Sequence, residues 1–125
     1  MIRVSRRLFE RLVRRAVRDL PSPFRESLKN LDIVVERRPS ARRLRDARVP
    51  HGHTLLGLYQ GVPQTRRGDW YNFALPDRII IFQEPIEERC NSVRELVAQV
   101  RATVIHEIAH HFGIDDARLA ELGRD

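Results

Sequence analysis

The stretch TVIHEIAHHFGIDD, residues 103–116, constrains this chain more than any other. Val93, Leu96, Val97, Val100 and Val104 recur ahead of it at helical spacing, and Ser92 with Glu95 forms a capping box at their start. A helix that begins there carries His106, Glu107 and His110. Positions four apart on a helix differ by about 40° in direction and one turn in height, so the imidazoles of His106 and His110 reach one ion. Glu107 follows the first histidine, and its carboxylate projects beside that ion rather than onto it. The pattern is HExxH, in which the glutamate serves as general base for a metal-bound water.

A catalytic zinc needs a third protein ligand and one open position. Gly113 is placed to end the helix in a left-handed turn, and Asp116 stands ten positions beyond His106, which completes HExxHxxGxxD. The expected metal ligands are therefore His106, His110 and Asp116, holding one Zn2+ per chain, with Glu107 as the catalytic base. Asp115 competes with Asp116, but its spacing from Gly113 fits the extended pattern less well. His111 points about 100° away from His110, which suits a packed histidine that supports the site from behind. Two histidines and a carboxylate also suit iron, and Glu107 tilts the choice to hydrolytic zinc.

The rest of the chain reads as one domain, residues 1–125, with an N-terminal helix and several strands before the histidine-bearing helix. Ser5 caps a helix in which Leu8, Leu12, Val13, Ala16, Val17 and Leu20 repeat, ending before Pro21. Its other face is a stripe of Arg7, Arg11, Arg14 and Arg18. Strands are expected at Leu31–Glu36, at HTLLGLYQG (53–61) and at RIIIF (78–82). The segment RRPSARRLRDARVP (37–50) reads as an exposed loop, and EPIEER (84–89) as a solvated turn. His51 and His53 flank a loop, while Trp70 and Tyr71 suit an aromatic clasp on the core.

Cys90 is the sole cysteine, so no intrachain disulfide is available and the thiol reads as a bystander. Arginines at positions 3, 6, 7, 11, 14 and 15 leave no uninterrupted apolar segment for a secretory signal, and no apolar run approaches a membrane span. The expected location is cytoplasmic, with no membrane partner. Residues 1–50 carry 15 Lys+Arg against 6 acids, a surplus of nine, whereas residues 51–125 carry 8 against 11. The basic half is not the half that bears the histidines. Its charge suits a nucleic-acid or acidic partner, yet all but one of the basic residues are arginine, which nucleotide composition of the gene also produces.

The extended motif resembles that of the metzincin clan of zinc peptidases, in which Asp replaces the last His in some members. More closely, LLGLYQGVPQTRRG, LPDRIIIF and VRATVIHEIAHHFGIDD together resemble the small bacterial family of zincin-like metallopeptidases, sometimes described as minimal metalloproteases. The resemblance implies an α+β zincin-like fold: a small mixed sheet, an N-terminal helix, a C-terminal active-site helix, and an edge strand on which a peptide lies by β-augmentation. It implies zinc and proteolysis, with a peptide or protein substrate. The chain departs from metzincins in having no methionine after the third ligand for a Met-turn, Met1 being the only one. It ends at Asp125, so no C-terminal subdomain of the metzincin kind is expected.

Three functions compete for this pattern. The first is a zinc-dependent metallopeptidase with Glu107 as general base, whose oxyanion stabiliser comes from Tyr59, Tyr71, His51 or His53. The second is a metal-dependent endoribonuclease, because one bacterial family uses an H-x3-H-x5-H pattern of the same spacing, though without a glutamate after the first histidine. The third is a zinc-binding regulatory module without catalysis, with an inherited metal site and no adequate substrate cleft.

Overall fold

The computed structural model describes residues 1–50, 54–61 and 77–111. Helix α1, Arg6–Arg18, starts at Ser5, whose hydroxyl accepts the Leu8 N–H at 3.1 Å, as the capping signal requires. Phe9, Leu12, Val13 and Ala16 bury one face of it, and the arginines lie on the other. A short helix α2, Phe24–Ser27, and a 3-10 turn, Leu28–Asn30, lead into strand β1, Leu31–Glu36. Helix α3, Ala41–Asp46, precedes strand β2, Gly57–Gln60. Strand β3, Asp77–Phe82, runs directly into helix α4, Gln83–Arg89, and helix α5, Val93–His111, follows.

The sheet is mixed, in the order β1-β3-β2, with β1 parallel and β2 antiparallel to β3. Ile79, Ile80, Ile81 and Phe82 are all fully buried, which explains the unbroken apolar run where a half-exposed strand would alternate. Each such side chain contributes about 1.5–3 kcal/mol on burial. The buried face of α1 shares one core with Leu96, Val100, Val104 and Ile108 of α5 and with Ile79 and Ile81. The sheet and α1 together hold α5 in place. No helix among the described residues is long and apolar enough to cross a membrane.

Two expectations need correction. The loop expected at 37–50 contains α3, which Ser40 caps by accepting the Arg43 N–H at 3.1 Å. None of α3 is buried, so it leaves no apolar stripe in the sequence. The turn expected at 84–89 is helix α4, with Gln83, Pro85, Ile86 and Glu87 buried. Pro85 sits in its first turn, where a missing N–H costs nothing. Glu87 looked like a solvated charge and is 3% exposed, because it accepts the Val4 N–H at 2.8 Å and the Gln83 amide at 3.1 Å.

At the start of α5, Ser92 accepts the Glu95 N–H at 3.1 Å, while the Glu95 carboxylate takes the Asn91 N–H at 3.3 Å. The capping box has formed, with its return bond one residue early. The strand expected at 53–61 covers Gly57–Gln60, and residue 53 lies outside the described residues, as do Trp70 and Tyr71.

Candidate active site

Helix α5 brings His106, Glu107 and His110 to the side of β2. The rings of His106 and His110 have centres 5.9 Å apart and planes inclined at 62°. Two imidazoles bound to one tetrahedral ion at about 2.0–2.1 Å have their centres roughly 5 Å apart, so this pair needs little closing to share one. His106 is half-buried and His110 exposed. Among the described residues no three His, Cys, Asp or Glu side chains form a metal-binding group. Gly113, Asp115 and Asp116 lie outside the described residues, as do His51, His53 and Tyr71.

Glu107 is anchored by the sheet. The Phe82 N–H donates to the Leu56 carbonyl at 3.0 Å, which fixes the alternation of the β2–β3 ladder: Leu56, Leu58 and Gln60 turn their main-chain groups toward β3. Gly57 and Tyr59 therefore turn theirs to the outer edge. There the Tyr59 N–H donates to Glu107 Oε1 at 2.9 Å. Burial pushes the Glu107 carboxyl above its ordinary value, while the Tyr59 N–H, His110 and His106 pull the other way.

The close approach that makes this bond possible depends on Gly57. A Cβ there would stand 2.6 Å from Thr103 Cγ2 and 3.2 Å from the Ile80 carbonyl oxygen. Only glycine lets β2 lie this near α5. Thr103 can turn its methyl to the strand because its hydroxyl donates to the Gln99 carbonyl at 2.8 Å. An isolated glycine inside a strand pattern is a signal for such an approach, and HTLLGLYQG carries it.

Tyr59 also reaches the end of α5. Its ring stacks on His111, with centres 3.9 Å apart and planes at 10°, and its hydroxyl donates to Asp77 Oδ2 at 3.0 Å. His111 Nε2 lies 4.0 Å from the same Asp77 oxygen. The main-chain N–H of Tyr59, not its hydroxyl, contacts the HExxH residues. Asp77, at the first position of β3, had no signal in the sequence because its role comes from the strand pairing. Cys90 is 2% exposed, and burial raises its thiol pKa, so it is a core residue.

An open cleft of about 350 Å³ flanks Glu107, bounded by Thr54–Gly57 on one side and by Gln99, Thr103 and His106 on the other. The basic half is partly neutralised elsewhere: Arg37 and Arg38 pair with Glu84, Arg38 also with Glu88, and Arg43 with Glu36.

Among the described residues, a mixed three-stranded sheet with an HExxH helix laid along its outer strand fits a zincin-like α+β fold. The profile of the zincin-like metallopeptidase family matches residues 28–124, and the chain belongs to that family. The match begins after α1. Among solved structures the chain is similar to a conserved hypothetical protein from Thermo thermophilus, with a TM-score of 0.56 at 23% identity over 97% of this chain and 100% of that one. At that identity the likeness concerns the fold. The comparison with curated proteins gives no match.

Proposed function

We propose that this chain is a zinc-dependent metallopeptidase in which His106, His110 and Asp116 hold the ion and Glu107 is the general base. The observation that carries this reading is the Glu107 carboxylate, held against the outer edge of β2 beside two histidines whose ring spacing suits one ion. Zinc bound there supplies Lewis-acid polarisation of a carbonyl and makes a water molecule more acidic.

The chain's own residues do the rest. Tyr59 engages Oε1 of Glu107, which leaves the other carboxylate oxygen to take the proton of the attacking water and hand it to the leaving amine. An extended peptide adds to the outer edge of β2 through the main-chain groups of Gly57, which brings its backbone past Glu107. Family membership and the glutamate after the first histidine favour this reading over the endoribonuclease.

Elemental analysis of the purified protein, with cleavage of an unstructured peptide library, tests it. About one zinc per chain, lost in His110→Ala, and cleavage abolished in Glu107→Gln are expected. Zinc without cleavage of any peptide defeats the peptidase reading and favours the regulatory module, and cleavage of RNA in place of peptide favours the nuclease.

A further inference from the structure

The cleft beside Glu107 differs at its two ends. Its lining includes His106 and Glu107 and, toward the start of α5, Gln99 and Arg89, the latter four residues before Val93 in the chain. Gln99 and Glu107 are eight residues apart on α5, about 12 Å along the axis at 1.5 Å per residue. That length accommodates three to four residues of extended chain at about 3.3 Å each.

Arg89, the last residue of α4, is exposed, and no carboxylate of the described residues pairs with it. Arg37 and Arg38, which also lie near α4, differ, since they pair with Glu84 and Glu88. A cation at the end of α4 complements its last carbonyls, but that role does not require it to line a cleft shared with the HExxH residues.

The direction of a bound peptide follows from β2. Gly57 lies against Thr103 and Tyr59 against Glu107 and His111, so β2 and α5 run the same way. A chain added antiparallel to β2, the stronger pairing, passes Tyr59 before Gly57 and then continues toward Thr54 and Arg89. Residues on the C-terminal side of the bond facing Glu107 therefore run toward the guanidinium.

Resting on the metallopeptidase reading above, we infer that Arg89 is a specificity-determining residue that binds a carboxylate three to four positions C-terminal to the scissile bond. The carboxylate is either an acidic side chain or the free C-terminus of a short peptide. A guanidinium suits either source, because its fork donates two parallel hydrogen bonds to the two oxygens.

The test uses the zinc-loaded full chain and neutral decapeptides in which a single Glu is moved along the sequence, each made with a free and an amidated C-terminus. Cleavage is expected to move with the Glu and to stay three to four residues before it. A cut that instead keeps that distance from the C-terminus, and is lost on amidation, assigns the site to the terminal carboxylate. The Glu peptide is expected to have a KM about tenfold below that of its Gln counterpart, with similar kcat. That ratio falls to about one in Arg89→Ala, and Arg89→Glu shifts the preference to Lys.

Binding of the same peptides, fluorescently labelled, to the Glu107→Gln chain separates this inference from the reading it rests on. Binding that favours Glu and depends on Arg89 supports the carboxylate site even if no peptide is cleaved. Equal binding of Glu and Gln peptides in both termini series, or a preference that survives Arg89→Ala, overturns it.

Discussion

Glu87 on α4 and Glu107 on α5 each turn inward and accept a main-chain N–H from a segment distant in sequence, Val4 at 2.8 Å and Tyr59 at 2.9 Å. Glu87 also takes the Gln83 amide, its own carbonyl accepts the Ile2 N–H at 3.2 Å, and it is 3% exposed. Glu107 has that single donor among the described residues, is half-buried, and faces two histidines and a cleft. One carboxylate is a tie that fastens the N-terminal arm to α4. The other is held in place by the same kind of bond through one oxygen, and in the proposed reaction the second oxygen is the base.

The largest effects expected follow from that contrast. Glu107→Gln keeps an acceptor for Tyr59 and removes the base, so kcat should fall by about 10²- to 10⁴-fold with the stability to urea nearly unchanged. Glu87→Ala leaves the Val4 N–H without its partner and the Gln83 amide with only the Val4 carbonyl, which should cost about 1–3 kcal/mol in urea unfolding and leave kcat/KM of the folded protein intact. If Glu87→Ala abolishes cleavage without loosening the fold, the distinction between the two glutamates collapses.

Metal removal sharpens the comparison. Zinc at a hundredfold excess over its Kd should stabilise the chain by about 2.7 kcal/mol. That gain should vanish in His110→Ala and persist in Glu87→Ala and Glu107→Gln, as thermal unfolding with and without a chelator reports. A gain that persists in His110→Ala removes this histidine from the metal site.

Gly57→Ala tests how Glu107 is held. Its Cβ meets the Thr103 methyl at 2.6 Å, so strand and helix must separate, and with them Tyr59 and Glu107. A shift of about 1 Å should lower kcat/KM roughly ten- to a hundredfold. Thr103→Ser removes that methyl and should recover part of the loss in the double variant. The contact with the Ile80 carbonyl at 3.2 Å remains, so recovery stays incomplete. No recovery at all means that the strand is displaced by something other than Thr103.

What could be read in advance was what repeats or what has a fixed local grammar. The α1 and α5 caps, the apolar stripe of α1, the Ile79–Phe82 run and the HExxH spacing are of this kind. Helix α4 was missed because its buried positions include Gln83 and Glu87, whose polarity hides the apolar face. Their partners include the arm at Ile2 and Val4, which lies about eighty residues away in the chain. The Tyr59 and Asp77 contacts depend on strand pairing, which spacing alone does not disclose. At the candidate site the sequence names His106, Glu107 and His110 on α5, and the fold adds what a motif cannot contain: the edge N–H that holds Glu107 and the glycine that admits it.

The smallest effect concerns Tyr59, which joins both parts of that arrangement. Burial first, and then the hydrogen bond and charge of Asp77, push its phenol pKa up to about 12. The folded state therefore favours the protonated phenol. Stability from this source is fully present below about 10, the value of an unperturbed tyrosine, and is lost as pH rises from there through about 12. With Tyr71→Phe as background, the ultraviolet phenolate signal belongs to Tyr59 alone. It should appear near 12 in the native protein and near 10 in urea. Asp77→Asn should bring the native value down part of the way, because burial remains when the charge is gone. A native titration near 10 means that Tyr59 is not packed against His111, and the Tyr59 N–H then has no rigid ring to hold it opposite Glu107.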